Sequence, residues 1–171
     1  EKTAYVPDVG KISHVIATRD PDNAVNLARK FAEKIPDCDV PAMAERLANL
    51  GLVKDATGLI LSQITAKEFN EETAPLQTRL LEINIRANPE TAATILDRGI
   101  LKFYDARVLA PLCEAARMFS DAVRMYSNYA DKRLVVVNHT KYLQPVEVAE
   151  YASMLEDASE IQDLLRSLLT A

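Results

Sequence analysis

Along residues 74–85, Ala-Pro-Leu-Gln-Thr-Arg-Leu-Leu-Glu-Ile-Asn-Ile, the apolar positions cover two faces of a helix instead of one. At about 100° per residue, Ile83, Leu76, Ala87 and Leu80 group together, and Leu81 and Ile85 extend the arc to roughly 200°. Thr78, Glu82, Arg86 and Arg79 lie opposite. A surface helix carries an apolar stripe nearer ~100° wide, so this helix needs neighbours on both sides. It is predicted to be an inner layer of a stacked helical array.

The rest of the chain has the same helical grammar. Asp20-Pro21-Asp22 combines a capping carboxylate with a proline at the first helical position, and Ala24, Leu27, Ala28, Phe31 and Ala32 follow at helical spacing up to Pro36. Val40-Pro41 opens a helix bearing Met43, Ala44, Leu47 and Leu50, and Gly51 supplies the left-handed residue that closes it. A further helix is expected from about Leu52 to Ile64, then a polar loop from Thr65 to Thr73, with Pro75 restarting the pattern. Asn88-Pro89-Glu90 opens a helix that closes at Gly99. Asp105 caps one running through Leu112, Cys113 and Ala116, in which Pro111 should kink the helix or delay its start. Another spans Phe119, Ala122, Val123 and Tyr126. Arg133-Leu134-Val135-Val136-Val137 has strand propensity but no strand to pair with, and is read as a short buried helix. Gln144-Pro145 starts the next, and Ile161, Leu164, Leu165, Leu168 and Leu169 form a one-sided stripe in the last. Glu156, Asp157 and Glu160 suit that helix's positive end.

An internal repeat runs through this pattern. Met43-Ala44, Leu47, Gly51-Leu52-Val53 and Asp55-Ala56 align with Leu109-Ala110, Cys113, Arg117-Met118-Phe119 and Asp121-Ala122, at a constant offset of 66 residues. That spacing holds two helical hairpins of about 33 residues, the period of helical solenoids. One hairpin cannot bury its own apolar face and must stack on another. The predicted fold is therefore all-α: an open α-α superhelix (α-solenoid) of stacked antiparallel hairpins, about ten short helices in all.

Composition narrows the function classes. The 171 residues are long enough for one domain burying roughly 70% of its unfolded surface. Hydrophobic residues make up 49%, charged residues 26%, and the net charge is -5, which argues against nucleic acid or an anionic membrane as main partner. Two cysteines, Cys38 and Cys113, make no disulfide framework and favour a reducing compartment. No apolar run approaches the ~20 residues of a membrane span, so no direct membrane insertion is expected. Lacking an initial methionine and stopping within an amphipathic helix, the chain is read as a piece of a longer protein.

Candidate chemistry is sparse. His14 and His139 are far apart, and neither has a Cys or His at helical metal-site spacing, so no metal or other cofactor is expected. Cys113 sits on an apolar helical face, where a thiol packs as a small hydrophobe. Glu71-Glu72 lie in the polar loop and are read as solvated. Asn138-His139-Thr140 matches a glycosylation acceptor, which has meaning only in a secreted protein. No phosphate-cradling glycine loop and no Ser/His/Asp arrangement stands out, so the reading is non-enzymatic.

Pro75-Leu76-Gln77-Thr78-Arg79-Leu80-Leu81-Glu82 with Asn84, then Ala92 with Ile95-Leu96, then Tyr104-Asp105, Leu112-Cys113-Glu114-Ala115, Ala122 and Lys132-Arg133, resemble in order and spacing the distal leg of the clathrin heavy-chain family. The similarity is good from about Pro75 to Val137; residues 1–70 are similar mainly in pattern. The resemblance implies a single leg segment over 1–171, with hairpins (1–70) preceding a heavy-chain repeat (75–171) that is incomplete at its C-terminus. It further implies a cytoplasmic structural part of coated pits and coated vesicles. Expected partners are other clathrin heavy chain legs and coat-associated proteins, the isolated segment being monomeric and the parent chain trimeric. Helical-repeat subunits of vesicle-tethering complexes carry related repeats and are the nearest alternative, followed by a peptide-binding scaffold solenoid. The strip Arg79, Glu82, Arg86 is the candidate lattice contact. Where Arg117 stands the family has a turn-forming glycine, and Pro111 interrupts a helix that lacks proline there, so that hairpin is expected to differ in shape.

Overall fold

A computed structural model of the chain describes residues 20–35 and 38–170. Ten α-helices and no strand occur among these residues. They fall into two compact units, one up to Tyr104 and one from Asp105.

In the first unit the helices are α1 Pro21–Lys34, α2 Val40–Asn49, α3 Val53–Lys67, α4 Ala74–Ala87 and α5 Pro89–Asp97. Short side chains start three of them. Asp20 accepts from the Asn23 N–H at 3.1 Å, Asp39 from Ala42 at 3.0 Å and Asn88 from Thr91 at 3.2 Å. Each satisfies one of the helix's orphan donors, an effect worth ~1 kcal/mol. Gly51 (φ 83°) ends α2 and Gly99 (φ 62°) follows α5, both in the left-handed region that costs glycine nothing.

The expected loop from Thr65 to Thr73 is shorter and more ordered than its polarity suggests. α3 runs on to Lys67, and residues Glu71–Thr73 form a 3₁₀ turn. Thr73 is fully buried, its hydroxyl placed to donate to the carbonyl of Asn70 (2.9 Å) or Glu68 (3.1 Å). Local side-chain hydrogen bonds hold this segment without an apolar pattern.

α4 packs against α2, α3 and α5, as its wide apolar arc requires. Leu80, Leu81, Ile83 and Ile85 are buried. Two arc members are not: Leu76 is half-buried and Ala87 is exposed. Their places in the interior go to two polar residues, Gln77 and Asn84.

The second unit holds α6 Ala106–Ala115, α7 Phe119–Met125, α8 Tyr129–His139, α9 Pro145–Ser153 and α10 Ala158–Thr170. The turn of the α6–α7 hairpin repeats that of α2–α3. Leu52 N–H donates to Leu47 C=O at 2.9 Å and Gly51 N–H to Ala48 C=O at 2.9 Å; 66 residues on, Met118 donates to Cys113 at 2.8 Å and Arg117 to Glu114 at 3.0 Å. This pair of bonds is the Schellman closure of a helix. Met43, Ala44, Leu47 and Ala56 are buried, as are Leu109, Ala110, Cys113 and Ala122.

The expected change of hairpin shape at Pro111 and Arg117 is therefore not observed. Arg117 takes the left-handed conformation itself (φ 63°), keeping the turn that Gly51 makes. Pro111 lies inside α6 with no break, and the helix starts directly after Asp105. The missing N–H of Pro111 affects only the Arg107 carbonyl in the exposed first turn.

The strand-like run is indeed helical. Asn128 caps α8 by accepting from the Asp131 N–H at 2.8 Å, and Val135 and Val136 are buried as α8 packs on α7 and α10. At α10 the Asp157 carboxylate accepts from the hydroxyl and the N–H of Ser159, both at 2.7 Å, which holds its pKa below the usual range. Of its leucine stripe only Leu164 is buried; Leu165 and Leu169 are exposed.

Candidate functional site

The charged strip of α4 is a network. Arg79 Nη1 lies 3.0 Å from Glu82 Oε2, and Arg86 Nη2 lies 3.8 Å from Glu82 Oε1. The spacings i, i+3 and i, i+4 place these side chains on one helix face. Arg79 also reaches α2, its Nη2 3.3 Å from Glu45 Oε2. Two guanidinium groups thus alternate with two carboxylates, and the set is charge-balanced. Glu82 is the most buried member, its side chain 13% exposed, while that of Arg86 is 54% exposed and available to a partner. Such exposed pairs contribute ~0–1 kcal/mol each, so the network orients side chains more than it stabilises the fold.

Behind this strip, two residues act as clamps that pattern alone did not single out. Gln77 Oε1 accepts from the backbone N–H groups of Lys102 (3.1 Å) and Phe103 (3.2 Å), while its Nε2 donates to Thr73 Oγ1 at 3.0 Å. Asn84 Nδ2 donates to Thr57 Oγ1 on α3 at 3.0 Å and to Leu80 C=O at 2.8 Å. Gln77 thereby fixes the segment after α5, and Asn84 fixes α3 against α4. The available signal was their spacing of seven on the row that carries Leu80 and Leu81, where a polar residue needs a partner.

The remaining candidate residues are individually accounted for. His14 lies outside the described residues. His139 Nε2 is 3.1 Å from Glu114 Oε1, and its ring stacks on Phe119 with centroids 4.0 Å apart. Cys113 is fully buried 3.9 Å from Met125 Sδ; desolvation, then the Asp121 charge, pushes its thiol up to about 12. A thiol so protonated is a poor nucleophile. Cys38, half-buried, is also raised, by burial and then Asp39. Glu71 and Glu72 are exposed on the 3₁₀ turn, and Asn138 is exposed in the last turn of α8. Among the described residues, no group of His, Cys, Asp and Glu is placed to hold a metal ion, and no helix is long and apolar enough to cross a membrane.

Helical hairpins packed in sequence order within each unit, with a Schellman turn that recurs from one unit to the other, place the chain in the α-solenoid class. The family model described as a region in clathrin and VPS matches residues 31–171. The chain belongs to this clathrin repeat family. It is 31% identical over 163 residues to a probable clathrin heavy chain of Schizosaccharomyces pombe, covering 95% of this chain and 10% of that protein. To clathrin heavy chain 1 of Arabidopsis thaliana it is 31% identical over 157 residues, covering 91% and 9%. To the clathrin heavy chain of Drosophila melanogaster it is 28% identical over 174 residues, covering 100% and 10%. The chain thus spans about a tenth of the length of the curated relatives it matches. No solved structure gives a significant match.

Proposed function

We propose that the chain is a structural leg segment of a clathrin-type vesicle coat. It supplies length, curvature and leg-to-leg contacts in coated pits and coated vesicles, on the cytosolic face of the membrane, during endocytosis and intracellular transport. The observation that carries the reading is one continuous family match over 31–171, on helices that pack as hairpins within each unit. Its partners are other heavy-chain legs of trimeric parents, with coat-associated proteins in addition, and it has no catalytic role. The whole chain is one helical-repeat leg segment, with residues 1–70 ahead of a repeat from 75 to 171 that is incomplete at its C-terminal end. The family match begins earlier, at residue 31, and takes α2 and α3 with it. Within the segment, Arg79, Glu82 and Arg86 form the candidate contact strip, with Arg86 its most accessible group.

The test is a chimera in which this chain replaces the matching tenth of a clathrin heavy chain. Cages should form, seen by sedimentation and negative-stain microscopy. A chimera with full helical circular dichroism that forms none would refute the leg role. Reversing the charges at 79, 82 and 86 in that chimera should lower cage yield and alter its salt response. Unchanged yield and salt response would move the contact to another face. A second reading, a helical-repeat subunit of a vesicle-tethering complex, is favoured by the mention of VPS in the family's description. It predicts that the parent protein co-purifies with a tethering complex and not with coated vesicles.

A further inference from the structure

Tyr142 is 49% exposed in the second unit and carries two cations over its ring: Arg117 Cζ lies 5.7 Å and Lys141 Nζ 4.9 Å from the centroid. The ring is also part of an aromatic stack. Phe119 stacks on it at 5.6 Å and 24°, and His139 stacks on Phe119 in turn. The carboxylate that meets His139, Glu114, is already engaged by that ring at 3.1 Å and by the Tyr126 hydroxyl at 3.2 Å. Neither Arg117 nor Lys141 is ion-paired among the described residues. The surroundings make these two cations conspicuous. From Asp105 onward the sequence has seven Lys and Arg against ten Asp and Glu.

Arg117 is also held at φ 63°, a left-handed conformation that strains a residue bearing a side chain. The equivalent turn in the first unit is made by glycine. A strained residue whose charge lies over an exposed aromatic ring points to a use for that charge.

We infer that Arg117, Lys141 and Tyr142 form a docking surface for an acidic segment of a partner protein, carboxylates meeting the two cations and an apolar side chain lying against the exposed part of Tyr142. Guanidinium and carboxylate match in bidentate geometry. A bare phosphate would engage the cations and leave the exposed part of Tyr142 without a contact, so a peptide uses more of the surface. This surface is separate from the α4 strip and does not depend on the leg role.

The test uses the whole chain and a fluorescein-labelled peptide, Glu-Glu-Leu-Glu-Glu-Leu-Glu-Glu, followed by anisotropy. Binding should be saturable and weaken with salt. Arg117→Gly and Lys141→Glu should each weaken it about tenfold, the loss expected for one charge-assisted hydrogen bond. Arg166→Glu on α10 should leave it unchanged. Arg117→Gly relieves the left-handed backbone strain and gives up only one exposed cation–π contact, so its melting temperature should not fall. Weaker binding by a fold that is no less stable separates docking from a structural role. Three outcomes would overturn the proposal. These are equal affinity of Arg117→Gly and the parent chain, equal losses in Arg166→Glu and Lys141→Glu, or binding only to phosphatidylserine vesicles or to a second copy of the chain.

Discussion

Leu81→Ala tests the claim that α4 is an inner layer. Leu81 is fully buried on a helix in contact with α2, α3 and α5. The substitution removes three carbons, and at about 0.8 kcal/mol per buried methylene the transfer loss is ~2.4 kcal/mol. A cavity on the order of 70 Å³ that does not relax adds up to ~1.7 kcal/mol at about 24 cal/mol per Å³. Helices held on several sides collapse poorly, so a loss of about 3–4 kcal/mol is expected. Urea unfolding followed by circular dichroism at 222 nm measures it, with the slope m compared to show that the transition remains the same one. Leu76→Ala is the internal control. The sequence pattern puts Leu76 on the same arc, but the residue is only half-buried, and its loss should be less than half as large. A Leu81→Ala loss below ~0.5 kcal/mol, the range of surface substitutions, would refute the two-sided packing of α4.

Gln77→Leu should leave the Lys102 and Phe103 amides without their acceptor, costing about 1–3 kcal/mol. Hydrogen exchange at those two amides should accelerate, and unchanged protection would show that Gln77 is not their clamp. Gly51→Ala should cost about 1 kcal/mol through the left-handed backbone alone, because no atom lies within 4 Å of the added Cβ. A neutral result by thermal melting would mean that the turn can re-form otherwise. Cys113, with its thiol raised to about 12, should stay protonated and resist maleimide labelling at pH 8 in the folded chain, yet label rapidly in 6 M urea. Fast native labelling would contradict its burial.

Much of the fold is local enough to be legible in sequence. Helix starts at Asp20, Asn88 and Asp105 depend on a side chain and an amide within three residues of each other. The helix ends at Gly51 and Gly99 depend on one residue's freedom at positive φ. The repeat was visible because each hairpin buries the same positions and turns through the same bonds. Even Arg117, the apparent exception, keeps the turn, since two Schellman hydrogen bonds and the packed hairpin outweigh ~1–2 kcal/mol of backbone strain.

The candidate site was legible only in part. Arg79, Glu82 and Arg86 could be placed on one face from their spacing, but Glu45, which completes the network, comes from another helix. The partners that Gln77 and Asn84 clamp likewise lie 25 to 27 residues away. The Thr65–Thr73 segment read as a loop because its order comes from side-chain hydrogen bonds, which leave no apolar period. Helix content, capping and repeat length follow from interactions within a few residues, which the order of amino acids specifies directly. Which polar groups are buried, which charges are neutralised and which aromatic ring stays open were decided only when helices packed, because burial and pairing are properties of surfaces brought together from distant parts of the chain.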